Sequence, residues 1–458
     1  MGVPGHGSTQ QQVRVISVYA TTWRHRWEGV DDSEPPVELG RLAEFYQLFQ
    51  GQLPRRLRRV EQDPRTVTLA PIGATSSAPA KAPEIEATRA VLWLFALPSD
   101  RVVAALDLVF ESPPLDVDVT RTTNVLEHGA YGQIEIDGIG IEAVIATLAK
   151  EAGAVSADGT ITGLPPERHQ IVFAPPIRGD ADQVEETIGL FLYRSDPPYR
   201  PEFMKVRRPS GLNTDGEIGA VTPYVSLMSG HPTYVENSVF LTVVQAVGTA
   251  ARFRQIWHQA HGRVRDFRYR GQAKVVGLQR KTAMEFLADE LGNLELDLSF
   301  SVEASADLGL LIPVLRIESF HKDLYEAMEL RERARTVSRM FQRLDASIRS
   351  ELTAIEIRDQ HAEEQRRLRR GAAVSVLSVI AVPLGFLLTF FGINAKQVEQ
   401  DWSMFDWNHY LPVWLTAGAL AVTPLIVFLA LNGRAWLLSR RERKDRNERF
   451  QRELDLVH

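Results

Sequence analysis

Two stretches without a single charge lie near the C-terminus: Gly371 to Phe391, reading GAAVSVLSVIAVPLGFLLTFF, and Leu411 to Asn432. At 1.5 Å per residue, about 20 helical residues match the roughly 30 Å hydrocarbon core of a bilayer. Each run therefore predicts one membrane span, and the pair predicts two transmembrane helices joined by a short polar turn. Basic residues orient the pair. Arg366, Arg367, Arg369 and Arg370 precede the first run, Arg434, Arg440, Arg441, Arg443, Lys444 and Arg446 follow the second, and the connecting loop has only Lys396. Excess positive charge stays inside, so the expectation is a multi-pass protein of the plasma (inner) membrane with both termini cytoplasmic. Trp402, Trp407, Tyr410, Trp414 and Trp436 fit the aromatic belts of such an arrangement.

The remaining sequence restricts the function classes. The segment Met1 to Gln12 lacks the basic and apolar regions of a secretory signal, so the spans themselves are expected to bring the chain to the membrane. A net charge of -6 and a pI near 6.1 give no whole-chain reason to expect nucleic acid as a partner. With no cysteine in the chain, thiolate metal sites, disulfides and cysteine nucleophiles are excluded. No Walker loop, HExxH or GxSxG is present, and we expect no enzyme.

The chain reads as an α/β region followed by helices. Val13 to Tyr19, Val91 to Leu97, Gln133 to Ile136, Ile171 to Phe173 and Ile188 to Tyr193 are short, apolar or alternating, and predict strands; Ile139 to Ala152 predicts a helix. Pro71 to Pro83, Ser112 to Pro114, Leu164 to Arg168 and Asp196 to Gly211 read as linkers, the last with the basic cluster Lys205, Arg207 and Arg208, a solvated loop or an anion contact. The expected division is an α/β cytoplasmic domain over 1–235, a helical region with an acidic hairpin over 236–317, and a stalk helix over 318–370. A transmembrane helix over 371–391, an extracytoplasmic loop over 392–410, a second transmembrane helix over 411–432 and a basic cytoplasmic tail over 433–458 complete it. Leu294 to Val302 fits both strand alternation and helical steps, with length favouring helix. Thr282 to Leu315 carries Glu285, Asp289, Glu290, Glu295, Asp297, Glu303 and Asp307 without one Lys or Arg. From Glu318 to Arg370 no Gly or Pro interrupts the chain, and Val337, Phe341, Leu344, Ile348, Leu352 and Ile355 form a heptad-like seam. That seam is expected either to associate with copies of the chain or to pack on the acidic hairpin of the same chain.

The end of the first span carries a motif. Pro383-Leu384-Gly385-Phe386 precedes Phe391-Gly392-Ile393-Asn394, with the proline eleven residues before the asparagine. Together with the order of parts, this resembles the CorA family of divalent-cation channels, whose first span ends in Gly-Met-Asn. The likeness covers the last 180 or so residues and is weak over the first 235. Ile393 stands where most members have Met, a variant that resembles the zinc-linked ZntB branch; Gly385 and Thr389 also depart from frequent family residues.

The resemblance implies a homo-oligomer, a pentamer in the family, set in a lipid bilayer and conducting Mg²⁺ or another divalent cation (Co²⁺, Ni²⁺ or Zn²⁺), with no cofactor beyond the transported and regulatory ion. It implies a selectivity filter of Gly392, Ile393 and Asn394, and inward positions at Ser378, Val382 and Gly385. A ring of neutral amide and carbonyl oxygens suits a cation that keeps its water shell. Around the mouth, Glu399, Asp401 and Asp406 against Lys396 leave the loop at a formal charge of -2, which concentrates cations. Glu290, Glu295, Asp297, Glu303 and Asp307 are the expected divalent-cation sensor. The lack of ionisable residues in either run favours passive conduction over proton coupling. A ZntB-like zinc transporter and a non-conducting sensor or interaction protein of the same fold are the alternatives.

Overall fold

The computed structural model describes residues 12–26, 35, 37–39, 43, 53–69, 87–111, 134–156, 165–193, 205–272, 278–303, 315–393, 407–419, 422 and 426. Its chain divides into two compact units, 1–349 and 350–458. The first is built on an eight-stranded mixed sheet. Strands β1 (Gln12–Arg24), β2 (Arg55–Gln62), β4 (Ala87–Ala96), β5 (Arg101–Glu111), β9 (Arg168–Ala174), β10 (Ile218–Val221) and β11 (Val225–Ser229) run in the order β10-β11-β9-β1-β5-β4-β2, with β8 (Val155–Ser156) on β1. Neighbours are antiparallel except β9 and β11. A small second sheet holds β3 (Val67–Leu69), β6 (Ile134–Ile136) and β7 (Ile139–Gly140).

The central strands are apolar on both faces, and strand alternation sends them into two cores. Ile16, Val18, Val91, Trp93, Phe95, Val103 and Ala105 pack with helices α3 (Thr233–Gln272) and α5 (Leu315–Ala327). Their neighbours Val15, Leu92, Leu94, Ala104 and Leu106 pack with α1 (Ile141–Glu151) and α2 (Ala181–Tyr193) on the other side. Each helix offers a stripe at helical spacing: Val235, Val239, Val243 and Val247 on α3; Ile317, Phe320 and Leu324 on α5; Ile141, Ile145 and Ala149 on α1, all buried. Phe240 meets Phe95 edge-on at 5.5 Å and Trp93 at 6.2 Å, which fixes where α3 crosses β4.

Two helical features differ from the sequence expectation. Ile188 to Tyr193, expected as a strand, is the end of α2. Asp180 accepts from the Gln183 amide at 2.9 Å and Gln183 accepts from the Asp180 amide at 3.4 Å, a reciprocal cap that starts the helix. The uninterrupted stalk from Glu318 is also broken. Helix α5 stops at Ala327, Glu329 takes a left-handed φ of 56°, and α6 (Leu330–Ile393) begins afresh. The stripe of α5 is held on the sheet, and Leu330, the first residue of α6, joins the same core. Leu294 to Val302 is helical: α4 (Leu278–Leu298) passes into a π-turn segment, Ser299–Glu303.

The membrane expectation is corrected. Among the described residues no helix is long and apolar enough to cross a membrane, so the two C-terminal transmembrane helices and the multi-pass plasma-membrane localisation do not stand. The first run is the end of α6. In the second, the continuous described helix covers 407–419. The tail from 433 and the loop from 394 to 406 lie outside the described residues.

One polar cluster interrupts the core between the sheet and α3. Asp107 on β5 is fully buried, and Arg14 on β1 grips both its oxygens at 2.9 Å. Arg14 also donates to the Asn237 side chain at 3.0 Å, and Arg89 on β4 stands 3.6 Å from Asp107. Beside them, Glu236 in the first turn of α3 is pushed up from its ordinary 4.5 to about 7 by burial, opposed by the charge of Arg14 and assisted by that of Asp107.

A raised folded value means that the protonated form is favoured by folding. The contribution is complete below about pH 4.5 and is lost as pH rises through about 7. Denaturant titrations across that window should show up to ~3 kcal/mol of lost stability, a slope that Glu236→Gln removes. At Gly248 on α3, an added Cβ would lie 1.9 Å from Leu97 Cδ1 and 3.1 Å from Val103 Cγ2. Both neighbours are buried and cannot retreat, so overpacking of about 1–3 kcal/mol outweighs the roughly 1 kcal/mol gained in helix propensity. Gly248→Ala should lower the denaturation midpoint without changing its slope.

Candidate functional site

Helix α6 carries the sequence motif. It is 64 residues long, on the order of 96 Å, and its last two residues are Gly392 and Ile393. Asn394 and the loop acids Glu399, Asp401 and Asp406 lie outside the described residues, as does Asp307. Val382 is helical and its side chain is not described; Gly385 and Ser378 are exposed on α6. Ser378 Oγ donates to the Val374 carbonyl at 3.0 Å and Thr389 Oγ to that of Gly385 at 2.7 Å, so both hydroxyls are satisfied along the helix. The seam behaves differently along its length. Val337, Phe341 and Ile348 are buried, Leu344, Leu352 and Ile355 partly so, and the residues from 358 to 371 are exposed.

The acids of α4 do not gather. Asp297 is held in a two-pronged contact by Arg252 of α3, and Glu290 meets Arg263 of α3 at 3.0 Å. Glu285 lies 4.0 Å from Lys281 one turn earlier. Glu295 is helical on α4, and Glu303 sits in the π-turn segment that follows. Among the described residues no group of three or more His, Asp or Glu could hold a metal ion. Mutual carboxylate repulsion, the basis expected for ion sensing, is replaced at Asp297 and Glu290 by pairing with arginine. The basic cluster also serves ion pairs: Arg207 reaches Glu326 on α5 at 2.6 Å, and Arg208 reaches Glu185 on α2 at 2.8 Å. Burial pushes the neighbouring Asp323 carboxyl up, against the pull of Arg207.

A different site was not foreseen. An open groove of about 910 Å³ lies where α3, the α5–α6 break and the ends of β9 and β11 meet. Tyr224 and Trp257 stand exposed along it, and Trp257 stacks on His261 at 6.3 Å. Glu167, at the entry to β9, faces this groove with Arg254 Nε 2.7 Å from its Oε1. Burial raises the Glu167 carboxyl above its ordinary range, while Arg254 first, then its own backbone amide, and His258 more weakly, pull it down. In sequence Glu167 is one acid in a Pro-rich stretch, and only folding joins it to α3, some ninety residues on.

No family model and no curated protein matches this chain. Among solved structures it is similar to the full-length CmaX protein, at 13% identity and a TM-score of 0.29, over 61% of this chain and 93% of that one. At that TM-score the likeness carries no argument about family or function.

Proposed function

We propose that this chain acts in divalent metal-cation transport as a CorA-like, non-enzymatic protein associated with copies of itself, Mg²⁺ being the first candidate ion. The observation that carries the reading is that one unbroken helix, α6, runs from the seam residues Val337 and Phe341 to Gly392 and Ile393 of the motif. Gly392 has no Cβ and so permits a backbone turn at the motif, which brings carbonyl oxygens to an ion. Those oxygens, with the Asn394 amide, are neutral ligands for a hydrated divalent cation. The partly exposed half of the seam supplies an apolar strip for self-association.

A second reading is favoured by the arginine pairs of α4 and by the absence, among the described residues, of a helix able to cross a membrane: a non-conducting CorA-like binding protein. One comparison separates them. Cells producing the full chain should accumulate Mg²⁺, Co²⁺, Ni²⁺ or Zn²⁺ above a vector control, and Asn394→Ala at equal protein level and equal oligomer size should return the metal content to that of the control. The ion that rises distinguishes magnesium from zinc chemistry. Accumulation that persists in Asn394→Ala removes the motif from the mechanism, and no accumulation with the unaltered chain supports the binding protein.

A further inference from the structure

The groove beside Glu167 has the make-up of a small-molecule site. Ligand pockets are commonly 300–1,000 Å³, mainly apolar, with a few polar groups that fix orientation. Here about 910 Å³ is bounded by Phe253, Trp257, Tyr224 and Met328, and the charged side chains on it belong to three elements. Arg254 of α3 faces Glu167, with His258 also within its electrostatic reach; Glu329, Glu332 and Arg333 come from the α5–α6 junction, and Arg168 from β9. Two of these arginines are engaged locally: Arg254 with Glu167 Oε1 at 2.7 Å, and Arg333 with Glu329 at 2.9 Å.

What remains is an acceptor. Glu167 Oε2 is buried and has no hydrogen-bond partner among the described residues. A buried carboxylate oxygen left unsatisfied costs about 1–3 kcal/mol or more, which a ligand recovers by donating to it. A charge-assisted donor recovers the most. Trp257, 38% exposed, and Tyr224, 56% exposed, present aromatic surface on the same groove, and such faces attract cations and cover apolar bodies. An incoming anion would meet Arg254 and Arg333 already holding carboxylates.

We propose that this groove binds an organic ammonium ion with a short apolar or aromatic body, its N–H donating to Glu167 Oε2 and its body lying against Trp257 and Tyr224. The site is separate from the motif of α6 and does not rest on the transport reading. Burial raises the Glu167 carboxyl above its ordinary range and a bound cation opposes that rise, so affinity increases with pH as Glu167 ionises.

The test uses the full chain and calorimetric titration with 2-phenylethylamine, with 2-phenylethanol as its neutral counterpart, at pH 5.5 and 7.5. The amine is expected to bind at least tenfold more tightly than the alcohol and more tightly at the higher pH. Glu167→Gln should reduce amine affinity at least tenfold, leave the alcohol unaffected, and abolish the pH dependence; it is expected to fold, because burial already favours the neutral group. Trp257→Ala, on an exposed face, should weaken both compounds and serves as the second variant. Equal binding of amine and alcohol, no binding of the amine, or an amine affinity untouched by both substitutions overturns the proposal. The same measurement with N-acetyl-lysine amide separates a free amine from a lysine side chain as the natural source.

Discussion

A sheet whose central strands are apolar on both faces sets the terms for everything else in 1–349. Strands β1, β4 and β5 send alternate side chains into two cores, and neither face tolerates water. Helices must therefore come from both directions. The chain between the strands supplies α1 and α2 to one face; the other waits for α3 and α5, which follow the last strand. Each fully buried Leu, Phe or Val contributes on the order of 1.5–3 kcal/mol, and the stripe of valines on α3 can collect it only on this sheet. The break at Glu329 follows from the same requirement, since α5 is held flat while α6 continues elsewhere.

Apolar stripes alone do not fix where a helix sits along a sheet, because valine packs on valine at many offsets. The Arg14–Asp107 pair supplies the missing specificity. Its two oxygens and two nitrogens have one good arrangement, Asn237 connects it to the start of α3, and Arg14 lies over the Phe173 ring at 5.5 Å. Burying such ions is costly, and removing one partner typically costs about 3–5 kcal/mol because the other is left uncompensated. Glu236 adds a second carboxylate to the same region, and burial raises it to about 7, so that below that pH it adds little further buried charge.

The electrostatics of the helices show how linear charge can mislead. From Thr282 to Leu315 the sequence is acidic without relief, and read alone it suggests carboxylates gathered for a cation. Folding lays α4 beside α3, whose Arg252 and Arg263 take up Asp297 and Glu290. A fixed guanidinium nearby replaces any need for a divalent ion at these two acids. The groove at Glu167 runs the other way: an unremarkable acid in a Pro-rich segment becomes a buried acceptor because α3 returns beside it.

Local pattern was enough for β1, β4, β6 and β9, for α1, and for the helical state of Leu294 to Val302, because each carries a run of one period bounded by turn residues. Strand β5 is harder to read, since Arg101 and Asp107 look like surface residues until a partner is found for them, and β2 reads as a charged loop because an edge strand can carry four arginines. Ile188 to Tyr193 looked like a strand when its apolar residues were read without the Asp180–Gln183 cap. The two membrane helices inferred from the charge-free runs are not found among the described residues. Sequence by itself determined the α/β region, the helical second half and the position of the Gly-Ile-Asn motif, all of which depend on neighbours within a few residues. Tertiary structure alone decided the pairing of acids with arginines, the break at Glu329 and the groove at Glu167, because each depends on which distant groups share a low-dielectric space.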